Sequence, residues 1–408
     1  MKCVSGFLIF LFTIFSVPSY STSFIVKFKN SDSKRKFEHT IKNSPTLIFQ
    51  NIPVQKSIEY ILNKSDLVLA NEAAKSLKQF NLVGILKVDN NIDNRYLDKL
   101  LTTDGIEYWE PNYTFSIEEN RIKDGLIREQ WYLDAINVHN AWKISMGEGV
   151  LIGFVDTGLE FYHREFSNSL WVNPGEDRNG NGTFEPWWDT VSINGAFGDF
   201  NGIDDDGNGF IDDLIGYDFV SQIVANFGDY FEPDPIPEDE HGHGTLVAGV
   251  LAAGINDTGI VGVAPKAKLV VLRAFDLTGN AELKDIVSAI IYAALNRINV
   301  LNLSFGTSFD SRLLHEAIKF ANEMGCIIVA SAGNDGQIIK HFPSDYPEVI
   351  SVGATTKNGF IGQSSNYGPR VDIFAPGFEI LSTTIGNKYK LVSGTSFSAP
   401  IVSGAVAL

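Results

Sequence analysis

Ser396 lies in "SGTSFSAP", between a Gly-Thr turn and an apolar run with helical spacing. A serine hydroxyl is a poor nucleophile at neutral pH unless a base takes its proton. Two upstream segments carry groups able to do that. "FVDTGLEF" puts Asp156 at the end of an apolar run against a Thr-Gly turn, and "DEHGHGTLVAGVLAAG" puts two histidines among glycines before a run of small residues. If the three segments converge, His243 accepts the serine proton while Asp156 fixes its tautomer and stabilises the imidazolium. "SAGNDG" adds Asn334, whose side-chain N–H could meet a developing oxyanion beside the Ser396 amide at a helix N-terminus. Taken singly, each residue has a plainer reading: a turn aspartate, a structural histidine, a serine N-cap. An esterase of the α/β-hydrolase type fits poorly. Ser398 stands where the second glycine of Gly-x-Ser-x-Gly belongs, and the order Asp, His, Ser is not that fold's order.

A second chemistry is written in the acidic residues. The chain has a net charge of −17, and Asp156 to Glu240 alone holds 20 acidic against 2 basic residues. Such a charge excludes nucleic acid or anionic membrane as partners held by bulk electrostatics. Within that stretch "DDDGNGFIDD" sets Asp204, Asp206 and Asn208 at alternate positions, then Gly209, the carbonyl of Phe210, and Asp212. That is the first part of a calcium loop, with oxygen ligands at positions 1, 3, 5, 7 and 9. "DRNGNGTFE" repeats the pattern with Asp177, Asn179, Asn181 and Glu185. In both, the twelfth position (Ile215, Trp188) lacks the usual glutamate, so Asp213, Asp189 or water must complete the shell. The competing reading is a solvated acidic loop without an ion.

These groups need a frame. β-branched apolar runs recur at "VLIGFVD", "LVVLRAF", "VLNLSFG", "IIVASAGN" and "VISVGAT", with helical spacing over 281–299 and from Leu313 to Met324. Alternation of this kind predicts an α/β domain with a mainly parallel sheet and helices on both faces. Asp156, Ser304 and Asn334 then fall near the carboxyl ends of strands, where such sheets gather functional groups.

The first 125 residues differ. "MKCVSGFLIFLFTIFSVPSYS" has one lysine, an apolar core from Phe7 to Phe15 and small residues near Ser19 and Ser21, the layout of a secretory signal peptide over residues 1–21. The run is shorter than the roughly 20 residues of a span, so no transmembrane anchor is expected in the mature chain. Export and only two cysteines, Cys3 and Cys326, predict no internal disulfide. Residues 22–123 read as a small, nearly neutral α+β domain with strands at Ser23–Lys29 and Asn81–Asp89 and a helix near Ser57–Leu62. The polar stretch Glu118–Gly125 marks its end, and 124–408 forms the larger domain, with the acidic insertion at about 171–218. The last helical run reaches Leu408 without a stop signal, so a longer natural chain is expected.

"DTG", "HGTLVAG", "GVAP", "SAGND" and "GTSFSAP", in that order, resemble the subtilisin family of serine peptidases. The resemblance implies a secreted endopeptidase acting through an acyl-enzyme, with Asp156, His243 and Ser396 as triad and Asn334 at the oxyanion hole. It implies that Ser304, Phe305 and Gly306 pair with the substrate backbone; plain sheet core is their other reading. "GIEYWEPNYTFSI" resembles the end of the family's propeptide, so residues 22–123 are expected to inhibit the enzyme in cis. Protein or peptide substrates and a structural Ca2+ follow as partners. Leu246 stands where the family often has a second histidine, and Phe397 and Ser398 replace commoner small or thioether residues. A catalytically silent fold used as a calcium-dependent binding module is the alternative.

Overall fold

A computed structural model describes residues 23–42, 47–51, 82–88, 94–112, 114–116, 120–121, 130–184, 199–221 and 233–408. The expected signal peptide, the helix near Ser57–Leu62 and Glu185 lie outside the described residues. Two compact units emerge, one from the stretches 1–50 and 84–112, the other from 51–83 and 113–408.

The first unit contains β1 (Ser23–Phe28), α1 (Ser31–Ile41), β2 (Leu47–Asn51), β3 (Val83–Val88), α2 (Asn94–Leu101) and β4 (Ile106–Pro111). Its strands lie in the order β2-β3-β1-β4, with β1 and β4 antiparallel. Asn30 starts α1 by accepting the Ser33 amide at 2.9 Å, which satisfies one of the helix's orphan donors. Phe28, Phe37 and Phe49 meet as mutually tilted rings and give the sheet an aromatic core.

The larger unit holds β5 (Thr114–Ser116), β6 (Asn120–Arg121), α3 (Trp131–Ala135), α4 (Val138–Ala141), β7 (Leu151–Asp156), β8 (Gly216–Asp218), α5 (His243–Ala252), β9 (Lys268–Arg273), β10 (Asn280–Glu282) and α6 (Leu283–Leu295). It continues with β11 (Val300–Leu303), α7 (Arg312–Glu323), β12 (Ile327–Ser331), β13 (Val349–Thr355), β14 (Ile373–Pro376), β15 (Ile380–Thr384), β16 (Lys388–Ser393) and α8 (Thr395–Ala407). Seven strands form one parallel sheet in the order β14-β13-β12-β11-β7-β9-β8. The α/β class expected from the alternation is what the chain adopts. Strand β7 sits between β9 and β11, so the chain leaves it first toward one edge and later toward the other. Side chains gather outside the carboxyl ends at such a reversal. Asp156 ends β7 there, and Ser304 follows β11.

Two of the helices have no polar face. All ten residues of α5 are buried, as is nearly all of α8, so both belong inside the domain rather than on it. They pack on each other and on the sheet. The other pair, α6 and α7, is amphipathic or partly so, and α7 starts at Ser311, whose hydroxyl accepts the Leu314 amide.

Within the larger unit the small strands β5 and β6 pair antiparallel with β10 and β16 respectively.

Candidate active site

Strand β7 delivers Asp156 and α5 begins with His243. His243 Nδ1 and Asp156 Oδ1 lie 2.8 Å apart, and both residues are buried. A carboxylate at Nδ1 selects the tautomer protonated there, which makes Nε2 the basic nitrogen. The two backbones approach closely enough to demand glycine: a Cβ on Gly244 would sit 2.1 Å from the Gly158 carbonyl oxygen.

Asp239 locks this approach. Its Oδ1 accepts from the Thr157 hydroxyl (2.8 Å) and the Gly242 amide (2.7 Å), and its Oδ2 from the Thr245 amide (2.8 Å) and hydroxyl (2.6 Å). Thr157 Oγ1 in turn accepts the Gly244 amide at 2.8 Å. An anionic side chain at the N-terminus of α5 also suits the helix dipole. Burial raises the Asp239 carboxyl above its ordinary range, opposed by these donors. Sequence inspection missed this residue. The spacing Asp239, His243, Thr245, an acid just before a helix and a hydroxyl in its first turn, was the available signal.

Ser396 is the second residue of α8. Pro400 has no N–H, so the Ser396 carbonyl lacks its helical donor. Ser304 replaces it: its Oγ donates to Ser396 O at 2.8 Å, while Ser396 Oγ donates to Ser304 O at 3.1 Å. The following residue, Phe397, places its ring 5.7 Å from the His243 imidazole. The Asn334 amide is oriented by chemistry, since the Thr395 amide (2.9 Å) and hydroxyl (3.0 Å) both donate to Oδ1. Its NH2 group is thereby turned away from Thr395.

Of the three residues expected along the substrate, Ser304 is engaged with Ser396 as just described. Phe305 is buried with its ring 4.9 Å from Phe275. Gly306 lies against the ring of His341. Strand β10 pairs antiparallel with β5, where Asn280 faces Ser116, Ala281 faces Phe115 and Glu282 faces Thr114. On the other side, Val392 and Ser393 of β16 face Arg121 and Asn120.

In the acidic segment a residue of neither motif joins two of the expected ligands. Glu176, Asp204 and Asp206 come together, with ligand atoms within 4.8 Å of one another. Glu176 is fully buried, and Glu176 Oε2 and Asp204 Oδ1 have no hydrogen-bond partner. Burial, then the charges of Asp206, Asp205 and Asp204, push the Glu176 carboxyl up to about 7. Crowded, partnerless carboxylate oxygens of this kind suit a hard cation with oxygen ligands. Glu176 was not foreseen, because it precedes both motifs. Asp212, at φ 57°, accepts the amides of Asn201 and Gly202 on its carboxylate. Asn208 donates to Asp213 at 2.9 Å and accepts the Phe210 amide, and the Phe210 ring packs on Tyr217 and Tyr292. In the upstream motif Asp177 accepts the amides of Asn181 and Gly182, Asn181 accepts that of Thr183, and Asn179 donates to Asp199. A fully buried Arg273 at the end of β9 neutralises Asp218 (2.7 Å) and Glu240 (3.0 Å).

A family model described as "Subtilase family" matches residues 147–408. Among characterised proteins, the chain is 32% identical over 364 residues to a "Thermophilic serine proteinase" of Bacillus sp. (strain AK1), covering 86% of this chain and 77% of that protein. It is 37% identical over 185 residues to a "Thermostable alkaline protease" of Halalkalibacterium halodurans, covering 45% of this chain and 51% of the relative. Against "Subtilisin Savinase" of Lederbergia lenta it is 38% identical over 175 residues, 43% of this chain and 65% of that one. The chain thus spans only about half to two thirds of the latter two. With this match over most of the chain and a parallel seven-stranded sheet, the chain belongs to the subtilase family, as a subtilisin-like serine endopeptidase.

Proposed function

We propose that this serine peptidase hydrolyses peptide bonds through an acyl-enzyme on Ser396, with His243 as general base, Asp156 orienting it, and Asn334 with the Ser396 amide receiving the oxyanion. The observation that carries this reading is the buried 2.8 Å contact between His243 and Asp156, with Phe397, next to Ser396, packed on the same imidazole. For attack, the Ser396 hydroxyl leaves the Ser304 carbonyl by rotation about χ1 and donates to His243 Nε2. Such bonds often form only in the substrate complex. His243 then returns the proton to the leaving amine, and water repeats the sequence on the ester. The Asn334 side-chain N–H and an amide at the N-terminus of α8 favour negative charge on the carbonyl oxygen only as it develops.

The chain is further proposed to be exported by residues 1–21 and made as a precursor in which residues 22–123 act as an intramolecular inhibitor. Pairing of β5 with β10, and of β6 with the strand leading into Ser396, supports that reading. Among the described residues no helix is long and apolar enough to cross a membrane. Glu176, Asp204 and Asp206 would hold a structural Ca2+, which offsets their mutual repulsion and links the segment before β8 to residue 176.

Expression of the chain beside its Ser396→Ala variant tests the proposal. Release of the N-terminal segment and hydrolysis of an unfolded protein substrate should occur with serine and cease with alanine. Identical processing of both would leave a catalytically silent binding module.

A further inference from the structure

The larger unit carries two sets of donors for a metal ion, and they differ in kind. Glu176, Asp204 and Asp206 offer carboxylate oxygens. His241 and His243 offer imidazole nitrogens, with one residue between them in sequence and 6.5 Å between their ring centres. A single carboxylate fixes the backbone of this pair. Asp239 Oδ1 accepts the His241 amide at 3.1 Å and the Gly242 amide at 2.7 Å, while its Oδ2 accepts the Thr245 amide in the first turn of α5. Gly242, at φ 98°, makes the left-handed turn between the two histidines, a conformation that glycine adopts without steric cost.

Each ring has a nitrogen suited to a metal. Asp156 holds the His243 proton at Nδ1, so Nε2 carries the lone pair of that imidazole. A carboxylate behind a ligating imidazole fixes its orientation and raises its basicity, and Asp156 stands in that place. His241 Nδ1 is buried and has no hydrogen-bond partner among the described residues. That is a costly position for a polar atom that nothing binds. The rest of the His241 residue is only half-buried. A Cβ added at Gly279 would lie 3.2 Å from His241 Nε2, so glycine there leaves the ring room to turn. A tetrahedral ion with Zn–N bonds of about 2.0–2.1 Å holds two ring centres roughly 5 Å apart, which asks the freer ring to move by about 1 Å.

We propose that His241 and His243 together bind a transition-metal ion of the zinc class, with water in its remaining positions, and that this ion switches the peptidase off. Imidazole nitrogens suit zinc, nickel and copper, whereas the hard ions prefer carboxylate oxygens, so Ca2+ and Zn2+ sort to separate regions of one chain. Coordination occupies the Nε2 lone pair that otherwise accepts the Ser396 proton. A positive ion on the imidazole also opposes the imidazolium that attack requires. Inhibition rests on the peptidase reading above; the coordination does not.

The full chain after processing, kept saturated with Ca2+, is titrated with ZnCl2. Peptide hydrolysis should fall as zinc approaches one equivalent, recover on addition of calcium-saturated EDTA, and ignore Mg2+. X-ray absorption of the chain with one equivalent of zinc should show two imidazole ligands. His241→Ala should weaken zinc inhibition by roughly tenfold or more and leave the zinc-free kcat/KM unchanged. A wild-type rate indifferent to zinc, one imidazole or none around the ion, or equal zinc sensitivity in His241→Ala overturns the inference. The first two readings need no variant, so they decide the matter even if His241→Ala does not fold. A chain that cleaves, takes a fluorophosphonate label and ignores zinc sinks only this inference. Two-imidazole coordination in a chain that neither cleaves nor labels without zinc sinks the peptidase reading and keeps the metal site.

Discussion

The catalytic end of the sheet and the acidic segment before β8 are both rich in buried polar groups, yet they satisfy them in opposite ways. Around His243 the acids meet donors from the chain: Asp239 has two hydroxyls and two or more amides, and Asp156 Oδ1 has the imidazole and the Thr157 amide, leaving only Asp156 Oδ2 without a partner. Around Glu176 carboxylates face carboxylates, and Glu176 Oε2 and Asp204 Oδ1 find nothing. In the first region opposite or neutral donors hold the acids, so most of its geometry is built into the fold. On the proposed calcium site, a cation from solution would offset the repulsion in the second, because a buried unpaired charge costs several kcal/mol. On the proposed function, rate belongs to the first region and ion-dependent stability to the second.

The sharpest break of that comparison is at Asp156. Asp156→Asn keeps the shape but favours the wrong imidazole tautomer, and kcat should fall by roughly 10^4-fold with or without calcium. Stopped peptide hydrolysis with matched thermal melts checks it; a melt shifted as much as the rate would move Asp156 into the structural class. Asp239→Ala comes next. Losing a buried acceptor shared by Thr157, Gly242 and Thr245 should lower stability by about 3 kcal/mol and loosen His243 as well. Denaturant titration reads the first effect and kcat the second.

Calcium removal should act on the other region alone. At a free concentration 100 times Kd, a bound ion adds about 2.7 kcal/mol, so a chelator should lower Tm by several degrees while the rate at low temperature holds. Glu176→Gln should abolish most of that chelator response. The smallest effect is expected for Ser304→Ala, which leaves the Ser396 carbonyl without its substitute donor. A cost of about 1–2 kcal/mol in stability and a modest fall in kcat should follow, with KM little changed.

Much of the frame could be read directly from residue order. The β-branched runs that became β7, β9, β11, β12 and β13 are continuous because both faces of a parallel strand are covered, and Asp156, Ser304 and Asn334 were at strand ends for the same reason. What stayed hidden depends on partners far away in sequence. Glu176 acquires meaning only when Asp204 and Asp206 come beside it. Asp212 fits a calcium loop by its spacing, and the structure adds that its carboxylate, on a left-handed backbone, accepts the amides of Asn201 and Gly202. Phe397, which looked like a departure, is the residue that packs on the His243 ring.

Mass-spectrometric mapping of a fluorophosphonate adduct tests the arrangement of the three segments most directly. The hydroxyl of Ser396 should be labelled in the wild-type chain and unlabelled in a folded His243→Ala variant. An adduct on another residue, or equal labelling without His243, would contradict the account.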